Sequence, residues 1–229
     1  MGPTPTAKAH AFVVDLDAPE LDEADRHHLD RVLRLARGDL VTVADGQGAW
    51  RECRFGPVLE PAGPVVVERP PTPPVTVCFA PVKGDRPEWA VQKLTELGVD
   101  VIVPLGADRS VVRWAGERAT RHVERLRRVA REAAMQCRRP TLPVVEDVRT
   151  FADVAARPGA LLADPTGRSP QRGDALVLVG PEGGWSDAER ARAVPAVRLG
   201  PTVLRAETAA VVAGALLTAL RPGGALAES

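Results

Sequence analysis

Two stretches near the C-terminus place glycine, proline and charge where chemistry can be done. The first is Leu176-Val-Leu-Val-Gly180-Pro181-Glu182-Gly183-Gly184-Trp185-Ser186. The second is Val197-Arg198-Leu199-Gly200-Pro201-Thr202-Val203-Leu204-Arg205-Ala206-Glu207-Thr208-Ala209. Each starts as a short apolar strand, breaks at glycine and proline, and runs on into a helical pattern. A glycine turn between strand and helix lets main chain approach a ligand closely, because no side chain stands in the way. Two such turns predict one pocket walled by backbone. That suits a nucleoside-type cofactor better than a metal or a hydrolytic triad.

The surrounding pattern must position those turns. Glu68-Arg-Pro-Pro-Thr-Pro-Pro74 is a proline-rich linker that cannot be helical, and it divides the chain into domains at residues 1–70 and 75–229. Before it, strands are expected at 10–15, 40–44, 50–55 and 65–68, with a hairpin signal at Asp45-Gly-Gln-Gly48 and one helix over 22–36 that stops at Gly38. This reads as a small β-rich barrel with one helix. After the linker, strands (75–80, 99–105, 160–163, 175–179) alternate with helices (87–97, 117–137, one after Gly184, 206–220). That alternation predicts an α/β domain with a mostly parallel sheet. Ser186 and Glu189 form a capping box. The last helix is apolar nearly all round, so it is either a core helix or an oligomer interface.

Composition narrows the class. The chain has 229 residues, 45% of them hydrophobic, enough for a real core. No stretch reaches the roughly 20 apolar residues of a membrane span, and Met1-Gly-Pro-Thr-Pro-Thr lacks a signal-peptide pattern. A soluble cytoplasmic protein is expected. Cys53, Cys78 and Cys137 show no metal or disulfide spacing, and adjacent His27 and His28 are not ligand spacing on a helix, so no metal is expected. Net charge is zero, but nearly all the positive charge is arginine, which suits phosphate and base contacts.

The ordered motifs resemble a known family. Gly180-Pro-Glu-Gly-Gly184 followed by Leu199-Gly-Pro-Thr-Val-Leu-Arg-Ala-Glu-Thr-Ala209 is similar to the RsmE-type ribosomal RNA uridine-N3 methyltransferases of the SPOUT class. Arg26-His27-His28-Leu29, Val32-Leu33-Arg34, Gly38-Asp39, Lys83-Gly84, Lys93-Leu-Thr-Glu-Leu-Gly-Val99, Arg109-Ser110 and Gln136-Cys-Arg-Arg139 fall in the same order. Two departures stand out: Ala9-His10-Ala11-Phe12 where the family carries an arginine and aromatics, and Cys137 where serine is usual.

The resemblance implies a trefoil-knotted methyltransferase domain after a PUA-like barrel, a homodimer, and S-adenosylmethionine as cofactor. The substrate would be a uridine of 16S ribosomal RNA or the small subunit, methylated at N3. Cofactor contacts are implied for Leu178, Gly180, Glu182, Gly183, Gly184, Leu199, Gly200, Leu204 and Thr208. Uridine N3 is protonated at neutral pH, so methyl transfer needs its anion favoured and positioned. Arg205 is expected to stabilise charge on the uracil oxygens, and Glu207 to accept the proton or orient Arg205. Glu207 and Thr208 also suit a plain helix N-terminus.

RNA contacts are expected from Arg26, His28, Arg31, Arg34, Arg109, Arg138 and Arg139. Arg118, Arg121, Arg125 and Arg128 share one helix face; a solvated face and a phosphate-binding stripe both fit, and few acidic partners favour the stripe. With aromatics at 3%, base stacking is not the main grip. Two other readings stand beside this one. One is a SPOUT enzyme acting on another atom or RNA; the other is a non-catalytic RNA-binding or ribosome-assembly protein.

Overall fold

The computed structural model describes residues 6–226, which divide into two compact units. In the first, β1 (Ala9–Phe12), β2 (Leu40–Ala44), β3 (Ala49–Arg54), β4 (Glu60–Pro61) and β5 (Val66–Val67) form one sheet. Its order is β1-β2-β3-β4, with β5 also on β3; β1 runs parallel to β2 and the other pairs are antiparallel. Val41, Val43, Cys53, Phe55 and Leu59 point into its core together with Leu29. Each such buried Val or Leu is worth about 1.5–3 kcal/mol over an exposed one.

The helix expected over 22–36 is shorter. Helix α1 (Glu23–His27) is capped by Asp22, whose carboxylate accepts from Asp25 N at 2.7 Å. The chain then widens, with Leu33 N bonding His28 O and Leu35 N bonding Leu29 O, and turns away at Arg34 with φ +52°. Burying Leu29 and packing Leu35 against the same core sets this widening, and it ends the helix before Gly38 is reached.

The first unit also takes in Arg131–Leu142, which a division at the proline linker assigns to the second domain. Packing explains it. Ala134 lies in a cluster with Phe12, Ala44 and Trp50. The Arg131 guanidinium grips Asp25 with two bonds, at 2.9 and 2.5 Å, and sits over the Phe12 ring. Leu142 N donates to Gly46 O. No local sequence signal marks these long-range contacts.

His10 makes this unit acid-sensitive. It is 3% exposed and its Nδ1 lies 2.8 Å from Thr42 Oγ1. Burial lowers its pKa to about 4; a backbone contact with Arg139 opposes the shift and the charge of Arg138 adds to it. The unfolded chain therefore binds a proton near pH 6.5 that the folded chain refuses until about pH 4. Stability is intact above pH 6.5 and falls by about 3 kcal/mol as pH drops to 4. Urea unfolding at stepped pH checks this: His10→Gln should flatten that slope, and an equal slope in both proteins refutes it.

The second unit is α/β. Its elements are β6 (Thr76–Phe79), α2 (Arg86–Glu96), β7 (Val101–Gly106), α3 (Gly116–Gln136), β8 (Val144–Val145), β9 (Arg149–Thr150), α4 (Phe151–Ala155), β10 (Ala160–Arg168), β11 (Leu176–Val179), α5 (Asp187–Arg190), β12 (Ala196–Val197) and α6 (Ala206–Leu220). The last turns of α3 belong to the first unit. The sheet order is β12-β10-β11-β6-β7-β8 with β9 also on β7, and every pair is parallel. Val77, Val177 and Ile102 are fully buried on one side, with Leu94, Leu126 and Leu217; Cys78, Val103 and Leu178 are buried on the other. Strands covered on both faces read as continuous apolar runs, as these do.

Two features shape the site. Strand β10 runs five residues beyond its expected end, its pairing with β12 shifting register between Ala163 and Arg168. Helix α6 packs Ala206, Ala209, Ala210, Ala213 and Leu217 inward, so it is a core helix on that face, while Val211, Val212, Ala215 and Leu216 stay half-buried.

Candidate active site

A cleft of about 250 Å³ opens where β12, β10 and β11 lie side by side. Ligand sites in parallel sheets favour the carboxyl ends of strands. Its walls come from Ala163-Asp164-Pro165 within β10, the Gly180–Trp185 turn and the Leu199–Leu204 turn, closed by Ala206 and Ala209 of α6.

The first glycine turn is fixed from behind. Trp185 is 2% exposed, and its Nε1 donates to Ala163 O at 3.1 Å. A Cβ on Gly180 would meet the indole at 3.0 Å, so the turn presses flat against that ring. Gly184 takes φ +69°, and its N–H closes the turn onto Pro181 O. The capping box holds, with Glu189 N donating to Ser186 Oγ and Ser186 N to Glu189 carboxylate. The same cap clasps the loop after β7: Asp108 N donates to Glu189 Oε1 and Ser186 Oγ donates to Asp108 Oδ2. Arg109 Nη1 donates to Gly183 O at 3.3 Å. Arg109 is thus tied to the turn through one donor while its side chain stays exposed.

Of the residues expected to contact a cofactor, Gly180, Glu182, Gly184, Leu199, Gly200 and Leu204 line the cleft. Leu178 does not: it is fully buried in the opposite core layer. Gly183 sits against Arg109 and Thr208 lies within α6; neither lines the cleft.

Arg205 stands at the start of α6, exposed, with no hydrogen bond or ion pair to its side chain among the described residues. Glu207 is 8% exposed. Its Oε2 is buried without a hydrogen-bond partner, and its Oε1 lies 3.6 Å from Arg86 Nη1. Of the two roles expected for Glu207, accepting a proton or orienting Arg205, the second lacks a contact among the described residues, where the carboxylate faces Arg86 at the start of α2. The same Arg86 nitrogen lies 3.8 Å from Glu182 Oε1, so one guanidinium faces a carboxylate from the first glycine turn and one from the first turn of α6.

Asp164, Arg190 and Arg86 carry no pattern in the sequence. Asp164 follows an apolar strand and precedes a proline, and its partner lies 26 residues away.

The expected RNA contacts divide between the units. Arg26, His28, Arg31, Arg34, Arg138 and Arg139 belong to the first and Arg109 to the second. His28, Arg31 and Arg34 are exposed; Arg26 is half-buried and donates to Gly56 O. Arg139 Nε donates to Thr141 Oγ1. On α3, Arg118, Arg121, Arg125 and Arg128 are all exposed, and Arg125 alone of the four is ion-paired among the described residues, to Glu88. No helix among those residues is long and apolar enough to cross a membrane.

Known proteins share this plan. A model of the RNA methyltransferase domain matches residues 68–218. The ribosomal RNA small subunit methyltransferase E of Mycobacterium bovis is 36% identical over 221 residues, covering 84% of this chain and 83% of its own. The Bacillus subtilis protein of that name is 29% identical, covering 88% and 93%. Among solved structures, the Neisseria gonorrhoeae ribosomal RNA small subunit methyltransferase E bound to S-adenosyl methionine superposes with TM-score 0.76 at 27% identity, over 90% of this chain and 95% of that one. A Legionella pneumophila protein in complex with bound cofactor SAM gives TM-score 0.80 at 26% identity, over 94% and 97%. With a family model spanning most of the second unit and relatives aligned along most of its length, the chain belongs to the RNA methyltransferase family, among the ribosomal RNA small subunit methyltransferases E.

Proposed function

We propose that this protein transfers a methyl group from S-adenosylmethionine to N3 of a uridine in small-subunit (16S) ribosomal RNA. The observation that carries this reading is a single cleft walled by both glycine turns, with Arg205 and Glu207 leading off the helix that closes it.

The cleft fits a nucleoside cofactor. Main chain, Val179, Leu199, Leu204 and the alanines of α6 supply apolar walls, and few polar side chains enter. Small-molecule sites share this make-up. Gly200 leaves open space where a side chain would project. Gly180, Gly184 and Gly200 would hold the cofactor by main chain, and Leu199 and Leu204 by packing. When bound, it supplies an electrophilic methyl group on a sulfonium.

The remaining work belongs to side chains. The N3 proton must leave and the resulting anion must be stabilised. Arg205, whose side chain has no partner among the described residues, is available to hold the charge that spreads onto the uracil oxygens. Glu207 is the proton acceptor in this scheme: its Oε2 has no donor of its own, while Arg86 faces its other oxygen. Orienting Arg205 is the weaker role, because Glu207 already faces Arg86.

A PUA-like first domain over residues 1–70 and a knotted methyltransferase domain over 75–229, acting as a homodimer in the cytoplasm, complete the reading. The half-buried apolar face of α6 supports the dimer. Arg26, His28, Arg31, Arg34, Arg109, Arg138 and Arg139, with the α3 stripe, supply contacts to RNA phosphates.

The test is direct. Incubating the protein with unmodified small subunits and S-adenosylmethionine should yield 3-methyluridine by nucleoside mass spectrometry. A methyl group on ribose or on another base refutes the assignment, as does no methylation.

A further inference from the structure

The charged side chains that line the cleft are Asp164, Glu182 and Arg190, and Arg190 is the lone cation among them in the described residues. Asp164 lies within β10, its side chain 6% exposed. Oδ1 accepts from Thr166 N at 3.0 Å and Thr166 Oγ1 at 2.7 Å; Oδ2 accepts from Arg190 Nη1 at 2.7 Å. Burial alone would raise the pKa of this carboxyl, yet the Thr166 bonds and the Arg190 charge together hold it below the usual carboxylate range.

Arg190 ends α5, and half of its side chain remains exposed. A guanidinium carries five N–H donors in a rigid fork. Asp164 takes one at Nη1, and no other side-chain partner is found for Arg190 among the described residues. A long arginine at an open rim would sample many rotamers. A buried carboxylate that cannot move holds this one in place, so less entropy is lost when a ligand docks. The pair is a fixed cation with spare donors, facing a cleft whose remaining walls are mostly apolar side chains and main chain, with Glu182 and Thr202 as the other polar side chains.

We infer that Arg190, held by Asp164, anchors the α-carboxylate of the cofactor's amino-acid end. The inference rests on the S-adenosylmethionine reading above. The chemistry selects this end. Adenine and ribose carry no negative charge and the sulfonium is positive, so the carboxylate is the cofactor's single anion. Arginine pairs with carboxylate through parallel N–H···O bonds. In a cleft of low polarity such a pair is stronger than in water. Asp164 is the positioning residue and Arg190 the contact.

Calorimetry with a set of cofactor analogues tests this without turnover. S-Adenosylhomocysteine has the carboxylate; 5′-methylthioadenosine lacks the amino-acid end; decarboxylated S-adenosylmethionine keeps the amine and loses only the carboxylate. Arg190→Met should weaken S-adenosylhomocysteine roughly 10- to 100-fold while leaving the other two nearly unchanged. Arg190→Lys should recover part of the loss. Asp164→Asn should weaken S-adenosylhomocysteine less than Arg190→Met. Because Asp164 is buried, Arg190→Met leaves its carboxylate without an ion partner and should melt below the parent temperature, and unchanged binding of 5′-methylthioadenosine shows that the cleft is still formed. Parallel weakening of all three ligands, or no change in any, overturns the anchor. If the parent protein binds none of them, the methyltransferase reading itself falls, and the anchor with it.

Discussion

Replacing Arg205 with alanine lowers the methyl-transfer rate by roughly 10²- to 10³-fold, the loss typical of removing one donor that stabilises a developing anion. Cofactor affinity stays close to the parent value, because Arg205 does not line the cleft. The fold is also indifferent to the change. Arg205 is exposed, makes no side-chain cap to α6, and pairs with nothing among the described residues. Its one structural duty, accepting from Ala209 N, is performed by its backbone carbonyl. Single-turnover rates on unmodified small subunits, beside calorimetry with S-adenosylhomocysteine, separate the two effects. A loss shared equally between rate and cofactor affinity would move Arg205 from the chemistry to the cofactor pocket. A parent rate would remove it from the mechanism.

Glu207 invites a different expectation from its neighbour. Removing Arg205 takes away an exposed charge, whereas Glu207 is buried, with Arg86 facing one oxygen and nothing bonding the other. A buried polar atom without a partner costs about 1–3 kcal/mol. Such a cost is tolerated where the group has work to do. Arg86 also approaches Glu182 and Glu207 at once, so its guanidinium lies near a carboxylate from each glycine motif.

The sequence makes plain what is local. Apolar runs that end in glycine and proline mark the turns, and the Ser186–Glu189 spacing marks the cap; each signal is complete within a few residues. The parallel sheet follows from the alternation of strands and helices. The rest is long-range. The two-residue strands β8, β9 and β12 exist because neighbours pair with them, not because their own residues insist. Asp164 and Arg190 are ordinary charges until folding brings them to one cleft, and Arg86 meets Glu207 from 121 positions earlier in the chain. Leu178 shows how strand alternation decides which face a side chain joins. It lies two residues before Gly180, but alternation along β11 turns it into the opposite core layer.

Gly200→Val should abolish measurable cofactor binding, a loss of at least roughly 100-fold, in a protein that still melts at the parent temperature. Two observations on one residue drive this. Gly200 lines the cleft, so a side chain there intrudes on a bound ligand. A Cβ built on it meets no atom of the described residues within 4 Å, and its φ lies outside the left-handed region, so the first carbon of a side chain enters open space without backbone strain. The unfolded chain loses some freedom as well, which favours the folded state slightly. Gly180 supplies the contrast. Its Cβ would lie 3.0 to 3.2 Å from the Trp185 indole, so Gly180→Val must displace a buried ring and lower the melting temperature. Comparing the two variants by calorimetry and thermal unfolding separates a blocked cleft from a damaged one. If Gly200→Val binds S-adenosylhomocysteine as the parent does, the space beside Gly200 is not where the cofactor lies, and the second turn loses its part in holding it.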